Sequence, residues 1–324
     1  MPFTPLVGQS QAIELLTRAV SQNRVAPAYL FIGTPGIGRS LAAQCFAELL
    51  LAPHKVDSHA PHKTGSNSAH VPLRQRIQQR NHPDLFWVEP TYLHQGKRVS
   101  AAEAAELGIK RKTPPEVRLE QVREVARFLS RPPLEAARSV IVIDHAESMA
   151  EAAANGLLKT LEEPGRATLI LLSPSAELLL PTIVSRCQKI PFQRLDAVAI
   201  AQVLTQAGYS EILQRPDVLA LAQGSPGEAI VHWQQLQAMP EPLLTALMQP
   251  PTSLKEALDS ARQIAQLESE AQLWLIDYLQ NCYWQTHPQP SILKALEDAR
   301  RYLLQYVQPR LVWEVTLGKM MGDG

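Results

Sequence analysis

The chain has 324 residues, 45% of them hydrophobic and 19% charged, enough apolar side chain to build cores for two or three domains and too much for a disordered protein. No apolar run approaches 20 residues and the start lacks the charged-then-apolar pattern of a secretory leader, so the expectation is a cytoplasmic protein without a membrane span. The three scattered cysteines, Cys45, Cys187 and Cys282, exclude a disulfide framework, and the zero net charge excludes a strongly basic or acidic chain, although residues 1–195 carry 23 Lys+Arg against 17 Asp+Glu and residues 196–324 carry 8 against 14, which is +6 and −6.

In chain order, residues 9–22 place Ile13, Leu16, Ala19 and Val20 on one helical face. The apolar run Ala28-Tyr-Leu-Phe-Ile32 predicts a buried strand, residues 33–40 a glycine-rich loop, and residues 40–50 a helix that ends near Pro53. Residues 53–75 lose periodicity and become rich in His, Pro, Ser and Lys, which predicts a loop. Asp84-Leu-Phe-Trp-Val88 is a second short apolar strand, and residues 94–118, with Lys110-Arg111-Lys112 and Pro114-Pro115, predict an exposed insertion.

Helical spacing returns through Leu119, Val122, Val125, Ala126 and Leu129. Val140-Ile-Val-Ile143 predicts a buried strand ending in Asp144, residues 150–162 a helix stopped by Pro164, and residues 167–172 another strand. Strands alternating with helices predict a parallel sheet covered on both faces. From Asp196 onward the pattern is helical, over 196–207, 211–222 and 226–238, with a turn at Gly224-Ser-Pro-Gly227. Prolines 240, 250 and 251 punctuate a boundary at 238–252, and helices are predicted over 252–284, 290–307 and 309–320, with Trp274, Leu275, Tyr278 and Leu279 on one apolar stripe of core or interface type.

The chemistry starts at Gly33-Thr-Pro-Gly-Ile-Gly-Arg-Ser40, which fits the phosphate-binding loop G-x-x-x-x-G-K-[S/T] everywhere except Arg39. Strand, glycine loop and helix are the context in which backbone N–H groups and a helix N-terminus cradle phosphates. A lysine there is a compact ammonium that reaches the outer phosphates, whereas Arg39 is longer, planar and forked. A strand ending in aspartate is the usual place to hold Mg²⁺ beside the phosphates, here through Ser40 and Asp144. The residue after that aspartate is normally glutamate in hydrolytic enzymes of this type; here it is His145. Two readings stay open for Gly33, Gly36, Gly38, Arg39, Ser40 and Asp144: a retained site for ATP or ADP with Mg²⁺, or a loop that only closes the strand–helix corner and holds no cofactor. The second constellation is Pro181-Thr-Ile-Val-Ser-Arg-Cys187 at the end of the α/β region, where Arg186 can project toward a neighbouring subunit and stabilise charge on a transferring phosphoryl group, the arginine-finger role.

Val7-Gly8-Gln9, Ala28-Tyr-Leu-Phe31, Leu157-Leu-Lys-Thr-Leu-Glu-Glu-Pro164 and Pro181-Thr-Ile-Val-Ser-Arg-Cys187, in this order, resemble the bacterial clamp-loader subunits of DNA polymerase III, the delta prime branch most of all. The resemblance is dense over residues 3–40 and 119–192, loose over 196–235 and architectural beyond. It implies an α/β P-loop AAA+ domain with a parallel sheet (1–195), an all-α lid (196–238) and an all-α C-terminal collar (239–324). It also implies a non-hydrolysing member of a pentameric hetero-oligomer with gamma/tau motor subunits and a delta subunit, acting on the sliding clamp and primed DNA, with no membrane partner. In that family Arg186 would act in trans on a motor subunit's ATP site, and Asp144 would be the relic of the Mg²⁺ ligand. Motor subunits carry a lid arginine one residue after the position of Pro226; this chain has Gly227 there.

Relatives usually insert a four-cysteine zinc module after the first loop helix, but residues 50–82 contain no cysteine, so no zinc is expected and no other metal in its place. His54, His59, His62 and His70 stand in its place at spacings that fit no helix face, and His82-Pro83-Asp84 matches the exit from the module. Two alternatives accompany this reading. One is an active ATPase of the gamma/tau type, with Arg39 and His145 standing in for lysine and glutamate. The other is a DNA-binding protein that uses Lys110-Arg111-Lys112 and neighbouring arginines, which lack aromatic interleaving.

Overall fold

The computed structural model describes residues 2–52, 72–106, 114–286 and 288–321. The chain divides into two compact units, Met1–Ala199 and Ile200–Gly324.

The first unit runs α1 (Ser10–Ser21), β1 (Ala28–Ile32), α2 (Arg39–Leu51), α3 (Leu73–Gln78), β2 (Leu85–Val88), β3 (Tyr92–His94), β4 (Lys97–Val99), α4 (Ala101–Glu106), α5 (Leu119–Leu129), β5 (Ser139–Ile143), α6 (Glu151–Glu162), β6 (Ala167–Ser173), α7 (Pro181–Val184) and β7 (Gln188–Pro191). Five strands form one sheet in the order β2-β5-β6-β1-β7, with every pair parallel. The β6 strand therefore lies between β1, which leads into the glycine loop, and β5, which ends at Asp144.

Covering a parallel sheet on both faces demands apolar residues on both sides of each central strand, and all of β5 and β6 is buried accordingly. Because successive side chains alternate, Leu30 joins Ile141, Ile143, Leu169 and Leu171 on the face covered by Val122 and Val125 of α5 and Leu157 and Leu161 of α6. Tyr29 and Phe31 turn the other way onto Phe46 of α2, with ring centroids 5.0 and 6.4 Å apart, and Phe31 also meets Phe192 at 5.3 Å. Each of these fully buried side chains contributes roughly 1.5–3 kcal/mol. Asp84 ties the foot of β2 to the segment leading into β5: its carboxylate, on a residue only 2% exposed, accepts backbone N–H groups of Leu134 (2.6 Å), Glu135 (2.8 Å) and Ala136 (2.7 Å).

The second unit is wholly helical among the described residues. It is entered through α8 (Ala197–Gln206) and continues with α9 (Pro216–Ala222), α10 (Pro226–Ala238), α11 (Glu241–Leu247), α12 (Leu254–Ile264), α13 (Ser269–Thr286), α14 (Pro290–Leu304) and α15 (Pro309–Met320). A polar network ties α9 and α10 to α13. Asp217 accepts from Arg215 Nε (3.0 Å) and from the Tyr278 hydroxyl (2.8 Å), and Trp274 Nε1 donates to His232 Nδ1 (3.1 Å) while stacking on Tyr278. The predicted stripe Trp274, Leu275, Tyr278 and Leu279 is buried, as core.

The structure departs from the sequence expectations where elements are short. The insertion at 94–118 holds most of the antiparallel β3–β4 hairpin and α4, and α11 fills the stretch at 238–252 that the prolines mark as a boundary. The helix expected over 211–222 breaks into a single 3₁₀ segment, Ser210–Gln214, and α9, because Pro216 has no N–H to continue the first helix and fits the first turn of the second. The helix expected over 252–284 divides between α12 and α13. Residues 53–71, with His54, His59, His62 and His70, and residues 107–113, with Lys110-Arg111-Lys112, lie outside the described residues. No helix among the described residues is long and apolar enough to cross a membrane.

Candidate functional site

The loop between β1 and α2 needs its glycines for reasons internal to the fold. A Cβ on Gly33 would stand 2.8 Å from Phe192 Cβ and 2.9 Å from its carbonyl oxygen, and Gly33 N–H is already spent on Ser173 O at 3.3 Å. Gly36 and Gly38 have φ of +70° and +103°, left-handed conformations that side chains resist, and a Cβ on Gly38 would meet Leu6 Cδ1 at 2.9 Å. Gly38→Ala is therefore expected to destabilise the first unit by about 1–3 kcal/mol, read as a lower midpoint in thermal or urea unfolding. Gln9 clasps the same corner from the N-terminal side. Its buried amide donates to Gln193 O (2.7 Å) and accepts from Gln193 N–H (3.0 Å), with a long contact to Ile37 O at 3.5 Å.

At the carboxyl ends of β1 and β5 the structure brings together the residues expected to meet there. Ser40 Oγ donates to Asp144 Oδ2 at 3.3 Å, and Asp144 Oδ1 accepts the backbone N–H of His145 at 2.9 Å. Arg39 does not reach outward. It is 6% exposed, and its Nη1 has no hydrogen-bond partner among the described residues. Burial pulls the guanidinium's pKa down, while the nearby carboxylates Glu147 and then Asp144 push it back up, with burial prevailing. Glu147 is held charged in turn: burial pushes its pKa up, but the His145 hydrogen bond and the charges of His145 and Arg39 leave it below the usual carboxylate value. His145, at φ 48°, has Nδ1 3.2 Å from Glu147 Oε1, and that bond outweighs burial to raise its pKa.

The cluster thus sets two basic side chains, Arg39 and His145, against the carboxylates of Asp144 and Glu147. Ser40 and Asp144 are oxygen donors of the type Mg²⁺ uses. Against that, the buried Arg39 guanidinium adds positive charge felt at Asp144, which weakens the pair's attraction for a dication. His145 is engaged through Nδ1 with Glu147, and that bond raises its pKa. A cleft of about 590 Å³ opens nearby between Glu89, Pro90, Ser100, Pro114, Pro115, Asp144, His145 and Ser148, and none of its lining comes from residues 33–40.

Arg186 stands apart from this cluster. Pro181 starts the short α7, and the turn after it carries Arg186 just ahead of β7. The β7 strand runs parallel to β1 with Gln188 beside Tyr29 and Pro191 beside Ile32, so Arg186 enters at the end of the sheet opposite the glycine loop, at least three residue steps or about 10 Å away along the strands. Its side chain is about one-third exposed, and its Nη1 donates to Thr182 O at 3.0 Å and its Nη2 to Glu162 Oε1 at 2.6 Å. Cys187 beside it is an inert packing thiol, pushed up to about 11 by burial. Gly227, the second residue of α10, belongs to the second unit.

Four participants were not singled out from sequence: Glu147, Ser173, Gln9 as a clasp, and Glu162 as the partner of Arg186. Gln9 and Glu162 do lie within stretches that stand out as motifs. Glu147 lies just past the end of a buried strand and Ser173 closes another, where open parallel sheets gather functional groups, and that is the signal that could have found them.

Residues 8–196 match the family described as DNA polymerase III, delta subunit, and residues 198–320 match the family described as Cyanobacterial DNA polymerase III delta prime, C-terminal domain. Among curated proteins the chain is 30% identical over 223 residues to DNA polymerase III subunit delta' of Bacillus subtilis, covering 68% of this chain and 58% of that one. It is 33% identical over 203 residues to the delta' subunit of Pseudomonas aeruginosa, covering 62% and 54%. It is 29% identical over 230 residues to DNA polymerase III subunit tau/gamma of Haemophilus influenzae, covering 69% and 29%. The chain thus spans little more than half the length of the delta' relatives it matches.

Proposed function

The chain belongs to the delta prime family of DNA polymerase III subunits, and on that premise we propose that it is a non-hydrolysing clamp-loader component whose Arg186 completes the ATP site of a neighbouring motor subunit. The observation that carries this is the separation of the two constellations. The chain's own glycine loop is closed by its own charges, while a partly exposed guanidinium stands at the other end of the sheet, where it cannot serve that loop. A guanidinium offered to a second subunit can stabilise the charge that builds on a transferring phosphoryl group.

In this role the chain assembles in the cytoplasm with gamma/tau motor subunits and a delta subunit as a pentameric ring that places the sliding clamp on primed DNA. Residues 1–195 are its AAA+ domain, 196–238 its lid and 239–324 its collar. Gly33, Gly36, Gly38, Arg39, Ser40 and Asp144 form a nucleotide site that has kept its backbone and given up its chemistry. Gly227, in place of a lid arginine, is a further lost contact.

The direct contact between Ser40 and Asp144 beside intact loop glycines favours a second reading, an active ATPase of the gamma/tau type. Radiolabelled ATP hydrolysis by the isolated chain separates the two. No turnover above background is expected, and none that responds to Asp144→Ala. Turnover that Asp144→Ala abolishes would establish the second reading instead.

A further inference from the structure

Glu162 is the last residue of α6, at the negative end of that helix's dipole, where a carboxylate is disfavoured. Among the described residues no side chain donates to Glu163, which follows it, but Glu162 receives Arg186 Nη2 at 2.6 Å. The other terminal nitrogen of Arg186 donates to Thr182 O at 3.0 Å. The guanidinium is therefore gripped at both Nη atoms, by α6 on one side and α7 on the other, and its plane is fixed. An arginine carries five N–H donors, so Nε–H and one N–H on each Nη remain free of partners among the described residues. A long exposed side chain that would otherwise sample many rotamers is held in one, with a set of donors unspent.

We propose that Glu162 is the positioning residue of Arg186: it orders the guanidinium before assembly and turns its free donors toward the phosphoryl group of the neighbouring subunit's site. This rests on the arginine-finger role of Arg186. Glu162 touches no substrate and acts only through the arginine, at a cost in helix-dipole energy that the pairing offsets.

The test uses the reconstituted complex with ATP hydrolysis confined to the served site. Glu162→Ala is expected to lower kcat there by about 3- to 10-fold, the value of ordering one rotamer-rich side chain, with KM for ATP and assembly unchanged. Glu162→Gln, whose amide oxygen accepts the same bond, should stay within about 2-fold of the native rate. Glu162→Asp keeps the charge but withdraws the oxygen by one methylene, and should fall as the alanine variant does. In an Arg186→Ala background, Glu162→Ala should have no further effect.

A native kcat in Glu162→Ala beside a collapsed kcat in Arg186→Ala would overturn the positioning role and leave the finger standing. A fall that persists in the Arg186→Ala background would overturn it too, because Glu162 would then act by another route. A native rate in Arg186→Ala would remove the finger itself, and the positioning role with it.

Discussion

Replacing Arg186 by alanine is expected to leave the chain folded and able to assemble while slowing ATP hydrolysis at the site we propose it serves by roughly 10³-fold or more. Folding survives because the side chain is about one-third exposed and its bonds are to an exposed carboxylate and one carbonyl of a four-residue helix. Surface pairs of this kind are worth about 0–1 kcal/mol. The loss in rate is a transition-state effect: a 10³-fold fall corresponds to about 4 kcal/mol of charge stabilisation at the transferring phosphoryl group, supplied where water is excluded. Arg186→Lys should recover little of it, since an ammonium keeps the charge and loses the planar fork. Single-turnover hydrolysis in a reconstituted complex with the other motor sites disabled gives the rate, and sedimentation gives the assembly state. An unchanged rate at the served site would remove Arg186 from the mechanism.

The second large effect concerns stability. Asp84→Ala is expected to cost the first unit about 4 kcal/mol, a large share of the 5–15 kcal/mol that holds a domain folded. Three backbone N–H groups converge on this carboxylate, and truncation strands all of them in a place only 2% exposed. Bonds to a charged acceptor are worth about 1.5–3 kcal/mol each and do not add fully. Asp84→Asn should cost nearly as much, because its amide group turns donors toward backbone donors.

The pH dependence follows from the same contacts. Burial pushes the Asp84 carboxyl pKa up, but the three N–H donors, helped by His82, bring it below its ordinary 3.8. The stabilisation is therefore complete above the unfolded value, near pH 4, and fades as pH falls through the lower folded value; Asp84→Ala should lack that acid limb. Trp87 is the only tryptophan in residues 1–199, so its fluorescence reports urea unfolding of this unit in a background where Trp233, Trp274, Trp284 and Trp313 are replaced by phenylalanine. A loss below about 1 kcal/mol would show that the three bonds are not what anchors the segment before β5.

What could be read from the sequence was what local spacing encodes. The β1, β5 and β6 strands are continuous apolar runs because they are buried on both faces, and α5 shows its buried Val122 and Val125 at helical spacing. The β7 strand was not legible: Gln188-Lys-Ile-Pro191 is a short edge strand with two exposed residues and a terminal proline, the composition of a loop. The same division runs through the candidate site. The loop glycines, Ser40 and Asp144 announce themselves by position in the chain. The surroundings of Arg39 do not, because Glu147 is brought to it by strand order rather than by sequence distance. The pairing of Arg186 with Glu162 spans 24 residues and arises only when β6 and α7 fold the chain back past the end of α6.

The buried Arg39 has a consequence beyond catalysis. A protein that folds around a metal–nucleotide complex gains stability in proportion to RT ln(1 + [L]/Kd), so its folded population and its surface follow the supply of that ligand. Here a buried cation in the corner is part of the chain, and Asp144 and Glu147 feel its charge. On the role proposed above, the shape offered to a neighbour would not follow the nucleotide supply, and would serve as a fixed reference for nucleotide-dependent movements elsewhere.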